Sequence, residues 1–226
     1  MILKIGHRGA MGYEPENTLS SFKKALELNV DMVELDVHVC KTGELVVIHD
    51  DKVDRTTNGR GYVIEKKFNE LRTLDVGNGE KIPTLEEVLD LINKKIKVNI
   101  ELKGEGTAKP AFEVIERYVR DRNWKYDDFL ISSFNHYELK KFNELNPRTK
   151  IGLLIADMSI SYAEFAGKVN AYSVNICIEF INQALVDDIH KRGLKVFVWT
   201  VDDLEDIARM KLLGVDGIIS NFPDRI

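Results

Sequence analysis

The sequence predicts an α/β protein in which eight parallel strands, with helices between them, close into a (β/α)8 TIM barrel. Short β-branched runs alternate with amphipathic stretches through all 226 residues, and this alternation is typical of a parallel sheet covered by helices. Eight strands in a chain of this length favour a closed barrel over an open doubly wound sheet. No glycine-rich phosphate-binding motif opens a predicted helix, which further disfavours the open sheet.

The individual elements follow from two periodicities. Each predicted strand is a short apolar run rich in β-branched residues. Each predicted helix repeats apolar residues with a period near 3.6, in several cases directly after a capping residue. In chain order the strands are predicted at residues 3–6, 32–39, 98–102, 129–132, 150–154, 171–175, 195–199 and 217–220. The helices are predicted at residues 18–28, 85–93, 108–122, 136–145, 161–167, 182–191 and 204–213.

Two segments depart from this alternation. Residues 41–44 have the composition of a turn, and residues 45–48 return along the second strand as a hairpin arm. The polar, glycine-containing residues 50–83 then precede the next helix, and a connection of that length usually has a function or small structure of its own. Only residues 221–226 follow the last strand, so the last outer helix is predicted to be truncated. We therefore expect one domain, residues 1–226, with residues 50–83 as a small inserted cap.

Composition excludes several classes of partner. Lys and Arg total 32 against 37 Asp and Glu, and the sequence pI is near 5.6. Proteins that bind nucleic acids or anionic membranes usually have a basic surface patch, so neither is expected as a partner. The longest apolar run, residues 151–156, is far shorter than the ~20 residues of a membrane span, so no membrane insertion is expected. The first residues lack the features of a secretory leader, which makes the cytoplasm the expected location. A homo-oligomeric state stays open.

Charged residues collect at the carboxyl ends of the predicted strands, the face on which barrel active sites are built. Glu34 and Asp36 are two residues apart, as are Glu101 and Lys103, and this spacing places each pair on one face of its strand. Three carboxylates repel one another unless a positive charge lies between them. An all-oxygen ligand set selects a hard divalent cation, Mg²⁺ or Ca²⁺ with Mn²⁺ as a further candidate. The alternative is an ion-pair network that only braces the barrel mouth.

Two histidines follow strand-like runs near the same face. His7 ends the first strand, and His49 is followed by Asp50, whose carboxylate is able to orient the ring. Beside a metal, two imidazoles are able to act as general base and general acid, although each alone is equally compatible with a hydrogen-bonded structural histidine. Arg8 and Lys103 add positive charge at this mouth, so we expect a small anionic substrate, above all a phosphate ester.

Three other side chains are placed less directly by the pattern. Trp199 ends an apolar strand at the mouth, and Phe134 follows the fourth strand, so both are predicted to contact the substrate, with a core position as the alternative. His38 continues the face of Glu34 and Asp36 but lies beyond the barrel end, where we expect it in solvent.

Nine short motifs follow one another along nearly the whole chain. They are His7-Arg8-Gly9, Pro15-Glu16-Asn17-Thr18, Glu34-Leu35-Asp36-Val37, His49-Asp50, Asp54-Arg55-Thr56-Thr57-Asn58-Gly59, Ile82-Pro83-Thr84-Leu85, Glu101-Leu102-Lys103, Val198-Trp199-Thr200-Val201 and Gly214-Val215-Asp216-Gly217. Their order resembles that in glycerophosphodiester phosphodiesterases. The resemblance implies a barrel hydrolase that uses a divalent cation to split glycerophosphodiesters, such as glycerophosphocholine and glycerophosphoethanolamine, into sn-glycerol 3-phosphate and an alcohol.

The same resemblance implies roles for individual residues. By position, the three acidic residues Glu34, Asp36 and Glu101 resemble the metal ligands. His7 and His49 resemble the acid and base pair, with His7 favoured as base, and Arg8 and Lys103 resemble phosphate ligands. The nucleophile is either water or the neighbouring glycerol hydroxyl. Two alternatives stay open: a lysophospholipase D or cyclic-phosphate-forming phospholipid phosphodiesterase, and a catalytically silent barrel that binds glycerophosphodiesters or a protein partner.

Overall fold

A computed structural model describes residues 2–156 and 162–226. Its strands are β1 (Leu3–Gly6), β2 (Met32–Val39), β3 (Leu45–Val47), β4 (Lys97–Leu102), β5 (Phe129–Ser133), β6 (Lys150–Ile155), β7 (Ser173–Cys177), β8 (Lys195–Trp199) and β9 (Gly217–Ser220). The sheet order is β1-β9-β8-β7-β6-β5-β4-β2-β3, and β1 also pairs in parallel with β2. That last pairing closes eight parallel strands into the predicted barrel, and β3 pairs antiparallel with β2 as the predicted hairpin arm.

Helices alternate with the barrel strands as predicted. They are α1 (Leu19–Glu27), α2 (Phe68–Leu71), α3 (Leu85–Ile92), α4 (Ala108–Asp121), α5 (His136–Leu145), α6 (Tyr162–Lys168), α7 (Gln183–Lys191) and α8 (Leu204–Leu213). Thr18 and Thr84 cap α1 and α3 by accepting hydrogen bonds from backbone N–H groups in the first turn. Ser161, the predicted start of α6, lies outside the described residues. No helix in the described part of the chain is long and apolar enough to cross a membrane.

A short 3-10 helix, Pro223–Arg225, follows β9. The truncation of the last outer helix stays a prediction. Tyr13, in the loop after β1, donates a hydrogen bond of 2.9 Å to the carboxylate of Asp224, and its ring packs edge-on against Phe222. These contacts fasten the chain end to the barrel rim.

Alternation along the strands separates an outer from an inner core. In β2, the apolar side chains of Val33, Leu35 and Val37 are fully buried in the cluster shared with the helices, while the residues between them face the barrel interior. A second cluster comes from β1, β2, β5, β8 and β9, so its members converge inside the barrel; they are Ile5, Met32, Leu130, Phe197 and Ile219. This inner cluster fills the barrel below the polar rim.

Residues 50–83 contain a 3-10 helix (Val63–Glu65) and α2, packed over the β2–β3 hairpin. Their buried side chains form a small cluster of their own with the hairpin, made of Cys40, Val46, Ile48, Val53, Val63, Leu71 and Ile82. The segment thus lies against the end of β2 that holds the acidic residues. Its assignment as a cap on a single domain stays a prediction.

Candidate active site

Strand register brings the three acidic side chains together. In the parallel pair of β2 and β4, Asp36 lies opposite Glu101 and Glu34 lies opposite Asn99. Because residues two apart on a strand share a face, all three carboxylates point into the barrel mouth. One oxygen from each of Glu34, Asp36 and Glu101 lies within 4.8 Å of the others, and all three residues are buried.

The electrostatics of this acidic triad (Glu34, Asp36, Glu101) indicate that the neighbouring Arg8 and Lys103 offset its negative charge only in part. Burial and the neighbouring carboxylate of Asp36 raise the pKa of Glu101 to about 7, and the same causes raise the pKa of Glu34 well above its ordinary value. Asp36 Oδ1 is buried without a hydrogen-bond partner among the described residues. Oxygen ligands alone suit a hard divalent cation, and such an ion would use this unpaired oxygen. The triad therefore fits a metal site.

The raised pKa of Glu101 predicts how stability changes with pH when no metal is bound. Because its folded-state pKa, about 7, exceeds the unfolded value near 4.5, the stabilising contribution is complete below 4.5 and is lost as pH rises to 7 and above. We expect thermal unfolding in chelator at a lower temperature at pH 8 than at pH 5.5. Glu101→Gln should reduce this difference by on the order of 2 kcal/mol between the two pH values. If the melting temperatures of the wild type and of Glu101→Gln changed equally with pH, the raised pKa of Glu101 would be contradicted.

The turn after β1 positions Arg8. Arg8 and Gly9 have left-handed backbone angles, with φ of 49° and 85°, and a side chain at Gly9 would collide with Ser21. This turn aims the Arg8 backbone N–H at Glu34 Oε2, 2.9 Å away, and places Arg8 Nε 3.5 Å from Asp36 Oδ2. The sequence His7-Arg8-Gly9 therefore has a local physical reason: glycine is required for the close approach to α1.

His7 has a neutral partner, which fixes its proton. Asn221 donates through Nδ2 to Asp202 at 2.6 Å, so its Oδ1 faces His7 Nδ1, also at 2.6 Å. Nδ1 of His7 must therefore donate, and Nε2 keeps its lone pair. Burial, together with the positive charge of Arg8, lowers the pKa of His7 to about 4. The imidazole is thus neutral near neutral pH.

His49 has a charged partner instead. Its Nδ1 lies 2.6 Å from Asp50 Oδ1, so Nδ1 donates to the carboxylate as the sequence predicts. Lys103 Nζ lies 3.1 Å from His49 Nε2 and donates to Glu101 Oε1 at 2.9 Å. The Arg55 guanidinium holds the pKa of Asp50 far below its usual range, so a carboxylate faces the His49 ring at all working pH values.

A cavity of about 460 Å³ opens at this rim. Eight of the nine predicted site residues line it, namely His7, Arg8, Glu34, His49, Glu101, Lys103, Phe134 and Trp199, and Asp36 completes the acidic triad beneath. Phe134 and Trp199 pack edge-to-face with ring centroids 5.5 Å apart, and Trp199 Nε1 donates to the Asn175 carbonyl. The two rings form an apolar wall of the cavity, and Lys103 Nζ lies 5.8 Å from the centre of the Phe134 ring. The structure thus brings the predicted residues together.

The prediction for His38 is wrong. The side chain is 9% exposed, and its Nε2 lies 3.0 Å from the carbonyl oxygen of His49. The hairpin and residues 50–83 fold over the end of β2, which covers a position that a bare barrel would leave in solvent. The spacing of two from Asp36 already placed His38 on the same face as the acidic triad. That spacing gave the face on which His38 lies but not its burial, which depends on how residues 50–83 fold.

Other polar partners were not apparent from the sequence. Asn99 lies beside Glu34 in the sheet and accepts a hydrogen bond from Ser132 Oγ, so both line the floor of the cavity. Asp202 reaches the site only through Asn221. Asn99 is two residues before Glu101, so strand alternation could have placed it on the same face. Asp202 had no such pattern, because its contact with Asn221 depends on a loop that closes the barrel.

A closed parallel barrel that gathers carboxylates, imidazoles and cations at its carboxyl-terminal rim defines a TIM-barrel enzyme. The chain belongs to the glycerophosphoryl diester phosphodiesterase family, whose model matches residues 7–225. The chain is 42% identical over 233 residues to the glycerophosphodiester phosphodiesterase of Caldanaerobacter subterraneus, covering 99% of this chain and 96% of the relative. It is 35% identical over 232 residues to that of Bacillus altitudinis, covering 98% and 95%. The resemblance predicted from the motifs is confirmed.

Solved structures show the same fold. A phosphodiesterase from Oleispira antarctica, in complex with the product sn-glycerol-3-phosphate, superposes with a TM-score of 0.90 at 31% identity, over 98% of this chain and 94% of the other. The glycerophosphodiester phosphodiesterase from Thermotoga maritima gives a TM-score of 0.83 at 29% identity, over 99% and 96%. These matches cover the barrel together with residues 50–83.

Proposed function

We propose that the protein hydrolyses glycerophosphodiesters, such as glycerophosphocholine and glycerophosphoethanolamine, to sn-glycerol 3-phosphate and an alcohol. One observation carries the proposal: two imidazoles with different partners line one cavity above a buried acidic triad. Family membership and the product bound to the Oleispira relative support the substrate class. The predicted location in the cytoplasm and any homo-oligomeric state stay predictions.

His7 acts as the general base. Its Nδ1 donates to Asn221, and its pKa is lowered to about 4, so Nε2 holds a lone pair towards the cavity near neutral pH. A base needs this neutral form before the reaction begins. Nε2 takes a proton from the attacking group, either water or the glycerol hydroxyl next to the phosphate. Attack by the hydroxyl expels the alcohol and gives a cyclic phosphate, which water then opens to sn-glycerol 3-phosphate.

His49 acts as the general acid. The carboxylate of Asp50 accepts a hydrogen bond from Nδ1–H and favours the imidazolium when it forms, which Asn221 does not do for His7 because an amide has no charge. Nε2 then donates a proton to the oxygen of the leaving alcohol. Without this proton the leaving group would depart as an unstable alkoxide. The difference between the two partners supports this choice of base and acid.

Cationic groups neutralise the phosphate. Arg8 and Lys103 line the cavity and bind the nonbridging phosphate oxygens, whose charge increases in the transition state. The acidic triad holds a divalent cation, Mg²⁺ or Ca²⁺, with Mn²⁺ as a further candidate. When bound, the ion supplies Lewis-acid stabilisation to a phosphate oxygen. The rings of Trp199 and Phe134 bind the carbon skeleton of the substrate along the apolar wall.

The activity is tested with a substrate panel and a coupled assay for sn-glycerol 3-phosphate. We expect glycerophosphocholine and glycerophosphoethanolamine to release sn-glycerol 3-phosphate in the presence of Mg²⁺, Ca²⁺ or Mn²⁺. The panel includes lysophosphatidylcholine, and phosphorus NMR detects any cyclic phosphate that accumulates. Turnover of the lysophospholipid alone, with cyclic phosphate as the final product, would favour the alternative phospholipid activity. Binding of glycerophosphocholine without turnover in any metal would identify a silent barrel.

A further inference from the structure

One arginine of residues 50–83 connects the start of that segment with the loop after β1 at the rim of the cavity. Arg55 Nε and Nη2 donate to the two oxygens of Asp50 at 2.7 and 3.0 Å. Arg55 Nη1 and Nη2 donate to the two oxygens of Glu16 at 2.8 Å each. A single guanidinium thus makes two bidentate pairs, one with the loop after β1 and one with the residue after His49.

Each of these carboxylates also holds a group of the active site. Asp50 Oδ1 accepts from His49 Nδ1 at 2.6 Å, and Glu16 Oε1 accepts from Arg8 Nη1 at 2.7 Å. The side chain of Glu16 is only 11% exposed, although it comes from a loop. Arg55 therefore lies one contact away from both the imidazole and the guanidinium.

We propose that Arg55 is a positioning residue for the hydrolysis: through Asp50 it orients the ring of His49, and through Glu16 it holds the side chain of Arg8. The inference rests on the proposed function, because it assigns to Arg55 the alignment of groups whose roles are given above. Arg55 itself contacts neither the acidic triad nor the cavity wall among the described residues.

The ion pairs of Arg55 with Asp50 and Glu16 are better suited to orienting side chains than to stabilising the fold. The Arg55 side chain is 48% exposed, and ion pairs with that much solvent contribute little to folding. A planar guanidinium, however, fixes the orientation of each carboxylate it binds through two hydrogen bonds. Without Arg55 the carboxylate of Asp50 rotates more freely, so the His49 ring loses its fixed direction. A reacting group misplaced by about 1 Å costs roughly 100-fold in rate.

The same segment supplies a matched control. Arg72 donates through Nη1 to Glu87 and to the Ile82 carbonyl, at 2.9 and 3.1 Å, and its side chain is 34% exposed against 48% for Arg55. It fastens residues 50–83 to α3 but touches no group of the cavity. Arg72→Gln and Arg55→Gln therefore each remove one arginine that ties this segment to the barrel, and only Arg55→Gln affects the network of Asp50 and Glu16.

The experiment compares the metal-loaded wild-type enzyme, R55Q, R55K and R72Q with two glycerophosphodiesters. We expect R55Q to lower kcat/KM for glycerophosphocholine by about 10- to 100-fold, a size typical of groups that orient active-site ligands. R72Q should stay within about twofold, and both variants should melt within a few degrees of the wild type. R55K should not restore the rate, because an ammonium group cannot make two bidentate pairs.

The second substrate is the glycerophosphodiester of p-nitrophenol, whose leaving group needs no proton. With it, the kcat defect of R55Q should shrink, because the His49 part of the defect disappears, while a residual KM defect from Arg8 stays. Equal defects on both substrates, or equal rates of R55Q and R72Q, would overturn the proposal. If the wild type and R72Q also fail to turn over either diester, the proposed function fails instead.

A double substitution checks the route through Asp50. Residues that act as one unit have non-additive effects. We expect D50N in the R55Q background to add little to the loss caused by R55Q alone. A loss equal to the product of the two single losses would show that Arg55 acts independently of Asp50, and would contradict its positioning of His49.

Discussion

Replacing His49 by alanine is expected to lower kcat for glycerophosphocholine by about 10²–10⁴-fold, the usual contribution of a general acid. Choline is a poor leaving group and needs a proton as the bond to phosphorus breaks. Asp50 aligns the His49 ring through Nδ1. Lys103 Nζ faces Nε2 in this structure, so Nε2 takes up a proton before it acts as the acid. Without the ring, no other imidazole among the described residues lines the cavity on this side. The fold should persist, because the side chain is about 30% exposed.

A substrate whose leaving group needs no proton distinguishes a general acid from a residue that only maintains the structure. With the p-nitrophenyl diester, H49A should recover most of the wild-type kcat, whereas H7A should stay slow on both substrates because the base is still missing. His190 pairs with Asp216 in the same way, with Nε2 2.8 Å from the carboxylate, but lies on α7 away from the cavity. H190A is therefore the matched control, and its rates should equal those of the wild type. Near-normal turnover of glycerophosphocholine by H49A would remove His49 from the mechanism.

Removal of divalent cations is expected to reduce turnover by about three orders of magnitude, since a Lewis acid supplies several kcal/mol of charge stabilisation. Asp36 Oδ1 has no hydrogen-bond partner among the described residues, and the pKa of Glu101 is raised although Lys103 lies beside it, so the acidic triad still favours a further cation. Activity in EDTA should therefore be very low and should return with Mg²⁺, Ca²⁺ or Mn²⁺. Because bound ligands must be deprotonated, metal affinity should fall as the pH drops below 7.

Asp36→Asn provides the matching variant, since it removes the charge and keeps the shape. In the wild type, added cation should raise the melting temperature at pH 8, and in D36N this rise should be lost together with activity. Calorimetry of Mn²⁺ binding gives a readout that does not depend on turnover. Full activity in chelator, with no cation-dependent rise in melting temperature, would mean that the triad only braces Arg8 and Lys103.

Much of this site could be predicted because its elements are local. Strand periodicity placed Glu34 with Asp36 and Glu101 with Lys103, and parallel strands bring their carboxyl ends to one rim. His49 and Asp50 are adjacent in the chain, so their contact could be predicted once the end of the strand was located. The register that sets Asp36 opposite Glu101 could not be counted from either strand alone, since it depends on how β2 and β4 align in the closed barrel.

The sequence by itself determined the barrel, the rim on which chemistry occurs and the residue types of the site, because these follow from periodicities within a few neighbouring residues. Tertiary structure alone decided the partners that distinguish the two imidazoles. Asn221 is 214 residues from His7, and Arg55 meets Glu16 across 39 residues. It also decided that His38 is buried. Contacts of this kind depend on barrel closure and on where residues 50–83 fold, and no local pattern encodes either.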